Sequence, residues 1–578
     1  MFKDLIPFIG KYKKYAIITP ILMIFEVIFE VAIPFIMALI IDEGIKIGVE
    51  QGDLSYVISL GALLILFAVI ALICGALGGK YGAIAATGFA KEIRKGIFYK
   101  IQDFSFSNSD KYPTSSLVTR MTTDVNMIQN AFMMSLRMLV RAPIMLISAT
   151  IMAFIINSKL ASVFIIAIPF LAFLLYFIFI KAHPYFRKML YKYDRLNNSV
   201  QENLIGIRVV KSFVREEYEI NKFKDSVSEL KETSIKAEKI VILTNPIMQF
   251  TMYIGIIAIS WFGAKLIISD LMKTGELMSF ITYITLVLMS LMMLSMTFIQ
   301  IIISKAASSR VAEVLKEDSE IKDGLDKDRV LKDGSIEYRN VCFSYSKDND
   351  NYVLKNINIK IESGEVIGIL GSTGSAKTTL VQLIPRLYDV SEGEIIVGKS
   401  SIKEYSLNNL RKEVAIVLQK NILFSGTIKE NLLWGNKNAT KDEIIDVCKI
   451  VQAHDFIMSF TDGYETRLGQ GGVNLSGGQK QRICIARALL TNPKILILDD
   501  ATSAIDTNTE SKIKSALKDR LKETTVIIIA QRINSVESAD KVLILNDGEI
   551  DAYDTPLNLL KNNKIYKDLY SSQLKGVE

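Results

Sequence analysis

The chain has 578 residues, half of them apolar, and 68 Lys and Arg against 61 Asp and Glu give it a formal charge of +7. That length admits several domains, and a positive excess without a basic stripe interleaved with aromatics argues against a nucleic-acid partner. Cys74, Cys342, Cys448 and Cys484 are scattered without metal-ligand spacing, which reads as reduced packing residues and not as a disulfide framework.

Apolar residues are concentrated before about residue 305. Tyr15–Ile41, interrupted only by Glu26 and Glu30, is followed by uncharged runs at Leu54–Gly79, Ala142–Ser158, Leu160–Ile180, Ile240–Ala264 and Leu277–Ser304. A hydrocarbon core takes about 20 helical residues, so the pattern predicts six membrane spans, the third including the turns that carry Arg137 and Arg141. MFKDLIPFIGKYKKY has no small-residue cleavage site behind a short apolar core, so the first span reads as a retained anchor. Lys and Arg crowd the N-terminus (Lys3, Lys11, Lys13, Lys14) and the segments 80–120 and 181–239, whereas DEGIKIGVEQGD and SDLMKTGE read as outer loops. Retention of basic residues on the inner side then places both termini, and everything after the last span, on the cytoplasmic side of the cell membrane.

Glu26 and Glu30 lie one helical turn apart in the first span, where an acid at the bilayer centre costs about 2.5–3.5 kcal/mol. Two readings are open: a face turned to a water-filled cavity that receives cationic amphiphiles, or a partnership with Arg137 or Arg141. In the last span Met289, Met292, Met293 and Met296, flanked by Tyr283 and Phe298, suit either an adaptable apolar surface or helix packing.

The two inner connections run to about 50 residues each, far beyond ordinary helix connections. Both are rich in helix formers, so they read as membrane helices that continue into water and turn back near residues 107–116 and 203–213. Such projections either dock on the C-terminal part of the chain or brace the bundle. A charged linker, residues 315–334, separates an all-α six-helix membrane domain (1–314) from an α/β P-loop nucleotide-binding domain (335–578).

In that second domain VLKNINIKIESGEVIGIL reads as strands that run into GSTGSAKTTL. Strand, glycine-rich turn and helix N-terminus form the context of a phosphate-cradling loop, with backbone N–H groups and the helix dipole aimed at the anion. Gly371, Ser372, Thr373, Gly374, Ser375 and Ala376 would cradle the phosphates of ATP. Lys377 would reach the β and γ phosphates, the Thr378 hydroxyl would ligate Mg²⁺, and Thr379 follows in the helix. The template asks for glycine where Ala376 stands. Downstream, KILILDD is a strand ending in Asp499, the acid expected to help hold Mg²⁺.

The segment VNLSGGQKQRICIARALL decides the resemblance: with Ser476, Gly477, Gly478 and Gln479 opening a helix, the chain closely resembles the ATP-binding-cassette family. Six spans ahead of the cassette resemble a half-transporter of the exporter type. The resemblance implies that Tyr345 stacks on adenine, that Gln419 senses Mg²⁺, that Ser503–Asp506 communicates across a cassette pair, and that the signature acts on the partner's nucleotide. Arg467 and Gln470 stand where the family's exporter segment has acids. It further implies that Asp500 occupies the place of a water-orienting Glu, and Gln531 that of a switch His; His183 and His454 stand in no such context. With Ala376 this makes three departures in one pocket. The chain therefore resembles the degenerate-site half of a heterodimeric multidrug exporter, whose partner would supply a consensus site and whose cargo would be hydrophobic or cationic small molecules crossing the lipid membrane. A lipid flippase subunit, a peptide exporter subunit and an ATP-sensing regulatory subunit are the alternatives.

Overall fold

The computed structural model describes residues 2–51, 54–324, 326, 328–346 and 351–574. They form two compact units, Met1–Gln102 with Thr114–Glu317, and Asp103–Pro113 with Asp318–Glu578.

The first unit is helical. Its long helices are α1 (Lys13–Leu39) and α2 (Ser55–Gln102) and, beyond the short α3 (Phe106–Lys111) of the other unit, α4 (Val125–Ile156) and α5 (Ser158–Ile205); after α6 (Ile207–Ser212) come α7 (Glu216–Val241), α8 (Thr244–Ile268) and α9 (Thr274–Lys316). Among the described residues six helical stretches are long and apolar enough to cross a membrane, as the sequence predicts. At 1.5 Å per residue the 48 residues of α2 span about 72 Å, more than twice a hydrocarbon core of about 30 Å. The excess accounts for the long inner connections, whose turns are α3 and α6.

The stretch read as a first outer loop is instead mostly helical: a π-helical turn, Ile40–Gly44, leads from α1 into a helix over Ile45–Gln51, while Gly52 and Asp53 lie outside the described residues. Asp42 fixes that turn. Its carboxylate accepts from the backbone N–H of Gly275 at 2.6 Å and of Glu276 at 3.1 Å, so a negative charge caps the N-terminus of α9. In the helix core Val27, Val31, Ala149, Phe164, Phe280 and Tyr283 are buried together, and the Tyr283 hydroxyl donates to Val31 O at 2.9 Å.

The second unit is α/β. Its elements are β1 (Ile336–Phe343), β2 (Leu354–Ile361), β3 (Val366–Gly371), α10 (Lys377–Gln382), β4 (Glu392–Val397), β5 (Val414–Val417), α11 (Gly477–Leu489), β6 (Ile495–Asp499), α12 (Thr507–Arg520), β7 (Thr525–Ile529), β8 (Lys541–Asn546) and β9 (Glu549–Asp554). The larger sheet runs β9-β8-β3-β7-β6-β5, with every pairing parallel except β8 with β9. β1, β2 and β4 form a separate antiparallel sheet with the two-residue strand Ser400–Ser401. Strand residues alternate between two cores: Ile495 and Ile497 pack with Ile367 and Ile369, whereas Leu496 and Leu498 pack with Ile483 and Ile485 of α11. Burial on both faces explains why these strands read as unbroken apolar runs. The register sets Ile529 opposite both Ile369 and Asp499, so the turns after β3, β6 and β7 leave the same edge of the sheet. In an open parallel sheet that carboxyl edge is where ligands bind.

Candidate nucleotide site

The turn after β3 carries the residues that the sequence reads as a phosphate loop. Gly374 has φ +88° and a Cβ placed there would meet no atom within 4 Å, so the requirement for glycine is torsional and not steric. Ala376, at the N-cap of α10, takes φ +68° and ψ +22°, the left-handed conformation that glycine adopts freely. An L-residue holds it at a cost of about 1–2 kcal/mol. The backbone course of the loop is therefore kept despite the methyl group, at some strain. Lys377 folds back over the loop, with Nζ 2.9 Å from Gly371 O and 2.7 Å from Ser372 O. Burial pushes its pKa down, opposed by the charges of Asp499 and Asp500. An ammonium held at the loop in this way gains from an incoming phosphate.

Thr378 Oγ1 donates to Asp499 Oδ1 at 3.1 Å. Asp499 is 1% exposed, and its Oδ2 is a buried oxygen with no hydrogen-bond partner. Burial raises the pKa of the carboxyl. A buried, unsatisfied carboxylate oxygen beside a threonine hydroxyl fits a hard cation that takes oxygen ligands, as Mg²⁺ does. Thr378 and Asp499 would hold that ion, which would supply positive charge to offset that of the phosphates.

Asp500 follows in the turn after β6, with φ +49°. Gln531 Nε2, in the turn after β7, donates to Asp500 Oδ2 at 3.2 Å. Burial raises the Asp500 pKa, and a hydrogen bond from Gln419 with the charges of Arg532 and Lys377 acts against it. Two amide donors, Gln419 and Gln531, thus converge on this short carboxylate. Tyr345 is half-exposed; its hydroxyl is 3.0 Å from Thr379 Oγ1, and its ring meets Phe343 and Tyr388 edge-on at 4.8 and 5.2 Å.

Ser476 caps α11: its Oγ accepts from Gln479 N at 3.3 Å while Gln479 Oε1 accepts from Ser476 N at 2.9 Å. A Cβ at Gly478 would lie 2.7 Å from Ala504 O, so the absence of a side chain lets α11 start against the Ser503–Asp506 turn. Among the described residues no hydrogen bond joins Ser476–Gln479 to Gly371–Thr379.

The family profile for the ABC transporter transmembrane region matches residues 17–292, and the ABC transporter profile matches residues 354–503. The chain is 38% identical over 567 residues to an uncharacterized ABC transporter ATP-binding protein, YfiB, of Bacillus subtilis (strain 168), covering 98% of this chain and 97% of that one. This chain belongs to the ABC transporter family. The ABC transporter chain is also 34% identical over 488 residues to an ATP-dependent lipid A-core flippase of Syntrophus aciditrophicus (strain SB), covering 84% of this chain and 80% of the relative. Its fold matches that of a bacterial Atm1-family ABC exporter solved with ATP bound, with a TM-score of 0.84 at 23% identity over 96% of this chain and 99% of the other.

Of the two readings left open for Glu26 and Glu30, the structure shows the arginine partnership: Arg141 of α4 meets both, with Nη2 2.6 Å from Glu30 Oε2 and Nε 3.5 Å from Glu26 Oε1. A paired acid no longer has to be compensated by a cationic cargo. His454, set aside on sequence grounds, lies 3.0 Å from the Tyr464 hydroxyl, and the four cysteines are free thiols.

Gln481, inside the signature segment VNLSGGQKQRICIARALL, and Tyr388 have contacts at the site that the sequence does not specify. Gln481 is buried in α11; its Nε2 reaches Ser503 Oγ at 3.2 Å, and its Oε1 accepts from Ala504 N at 3.0 Å, so it fixes the turn after Asp500 to the signature helix. Tyr388 donates to Asp110 of α3 at 2.6 Å while its ring packs on Phe106 and Tyr345. The signature segment marks the position of Gln481 but not its partners, and nothing in the spacing marks Tyr388; both act through partners distant in sequence.

Proposed function

We propose that this chain is one half of a two-cassette, ATP-driven exporter of the cell membrane, with both termini and the cassette in the cytoplasm. In this reading Tyr345 and Gly371–Thr379 hold ATP, Thr378, Gln419 and Asp499 hold Mg²⁺, and the pocket hydrolyses slowly. Ser476–Gln479 completes a second, competent pocket whose phosphate loop, Glu and His come from a different half-transporter. The observation that carries the proposal is the Asp500 carboxylate: it is one methylene shorter than the family's Glu and already accepts from Gln531. A base in that state has less reach, and fewer lone pairs, for a water. The experiment is phosphate release by the purified chain, alone and co-assembled with a half-transporter that has Glu and His at those positions. The pair is expected to hydrolyse ATP briskly and the lone chain hardly at all; equal activity would refute the proposal.

The cargo in this reading is a hydrophobic or amphipathic small molecule. Met289 and Met296 of the last span are more than half exposed in the single chain, and flexible thioethers suit varied apolar partners. A lipid headgroup-and-tail cargo is a second reading, favoured by the activity named for the Syntrophus relative. Proteoliposomes separate the two: ATP-dependent movement of a lipophilic dye without movement of a fluorescent phospholipid supports the first, and the reverse supports the second.

A further inference from the structure

The residues that set the hydrolytic geometry sit on two turns, one after β6 with Asp500 and one after β7 with Gln531. A single buried carboxylate joins both turns to one helix. Glu510, in the first turn of α12, is 4% exposed, and its Oε1 accepts from Thr502 Oγ1 at 3.0 Å and from Ser535 Oγ at 2.7 Å. Lys514 Nζ lies 2.9 Å from the same oxygen and also donates to Asn534 O at 3.0 Å. Thr502 follows Asp500 closely in the chain, and Asn534 and Ser535 follow Gln531. Burial pushes the Glu510 carboxyl up, but the hydrogen bonds from Ser535 and Lys514, the Lys514 charge and Thr502 outweigh it and hold it below its ordinary value. A buried carboxylate is costly unless its donors are all supplied, and here they come from each segment that needs fixing.

We infer that Glu510 is a positioning residue of the nucleotide site, clamping the turn that bears Asp500 to the turn that bears Gln531 and so setting the 3.2 Å contact between them. Glu510→Gln can keep an amide oxygen at the Oε1 position facing Ser535 and Thr502, but it removes the charge that pairs with Lys514, so the arm that runs through Lys514 to Asn534 loosens. A shift of about 1 Å in either turn is enough to cost on the order of 100-fold in rate.

The inference rests on the roles given to Asp500 and Gln531 under the proposed function. It is tested in the full-length chain carrying D500E and Q531H, where turnover is expected to be measurable. Adding Glu510→Gln is expected to lower kcat about 10- to 100-fold with ATP affinity unchanged within about twofold. Ser535→Ala, which leaves Glu510 in place, is expected to lower kcat less, and to add nothing further on top of Glu510→Gln because the two belong to one clamp. An unchanged kcat, a parallel loss of ATP affinity, or losses that multiply in the double variant would each overturn the inference. If Glu510→Gln fails to fold, the Ser535→Ala split between kcat and affinity decides it. If the starting chain without D500E and Q531H already turns over briskly, the proposed function fails, and the same comparisons made in that chain still decide the role of Glu510.

Discussion

Replacing Asp500 by Glu and Gln531 by His in the same chain is expected to raise single-turnover hydrolysis by about 100-fold. The extra methylene extends the carboxylate by about 1.5 Å, and a misplacement near 1 Å costs on the order of 100-fold, equivalent to about 2.7 kcal/mol of barrier. Removing Gln531 also frees Oδ2 from the amide that donates to it at 3.2 Å, and a neutral imidazole can both donate and accept where the amide holds one orientation. D500E alone is expected to give part of the gain and Q531H alone little, because the shorter acid still falls short. The assay is release of phosphate from the purified full-length chain under single-turnover conditions, with ATP affinity measured separately. A double variant that binds ATP as the parent does, yet hydrolyses within about threefold of it, would refute the reasoning, since the missing reach would then not be what limits the chemistry.

Ala376→Gly removes left-handed strain of about 1–2 kcal/mol but loosens the unfolded chain by about 0.4–1 kcal/mol, so thermal melting of the cassette is expected to change by at most a few degrees upward, with ATP bound at least as tightly. Asp499→Asn is expected to stabilise the nucleotide-free protein by about 1 kcal/mol, because burial raises the folded-state pKa of Asp499 above its unfolded value and the ionised form therefore costs stability at neutral pH. That cost is relieved as pH falls through the raised pKa, so the stability gain of the variant should shrink in acid, while Mg²⁺-dependent nucleotide binding is lost at every pH; calorimetry and fluorescent-nucleotide titration check both. Tyr388→Phe removes the 2.6 Å hydrogen bond to Asp110 and keeps the ring, and a loss of about 1 kcal/mol is expected to speed hydrogen exchange over Phe106–Lys111 about fivefold. Arg141→Gln leaves Glu26 and Glu30 without their partner and is expected to destabilise the helical unit by about 3 kcal/mol; replacing all three by Gln should recover most of it in a thermal-aggregation assay.

Much of this was legible in the sequence because it is written in local patterns. The six spans follow from apolar run length, and the immediate succession of strand, glycine-rich turn and helix start is found where the sequence places it, with Gly374 and Ala376 at positive φ. The turn over Ile40–Gly44 was not legible: Asp42 and Glu43 look like loop acids until the backbone N–H groups of Gly275 and Glu276, more than 200 residues away, are brought to Asp42. The pairing of Arg141 with Glu26 and Glu30 was one of two open readings, since helical spacing gives the face of a residue but not its neighbour across the bundle. Tyr388 and Glu510 carry no motif, and Gln481 lies inside the VNLSGGQKQRICIARALL segment without a part of its own there; the contacts of all three come from packing that only the fold assembles.

A pocket that binds ATP and barely hydrolyses it must keep the nucleotide unchanged. The most direct measurement is to load the purified lone chain with Mg²⁺ and labelled ATP, remove the excess, and follow the identity of the bound nucleotide with time. The account predicts tightly bound ATP that is still ATP after many minutes. Rapid appearance of bound ADP, at a rate on the order of one per second or faster, would contradict it.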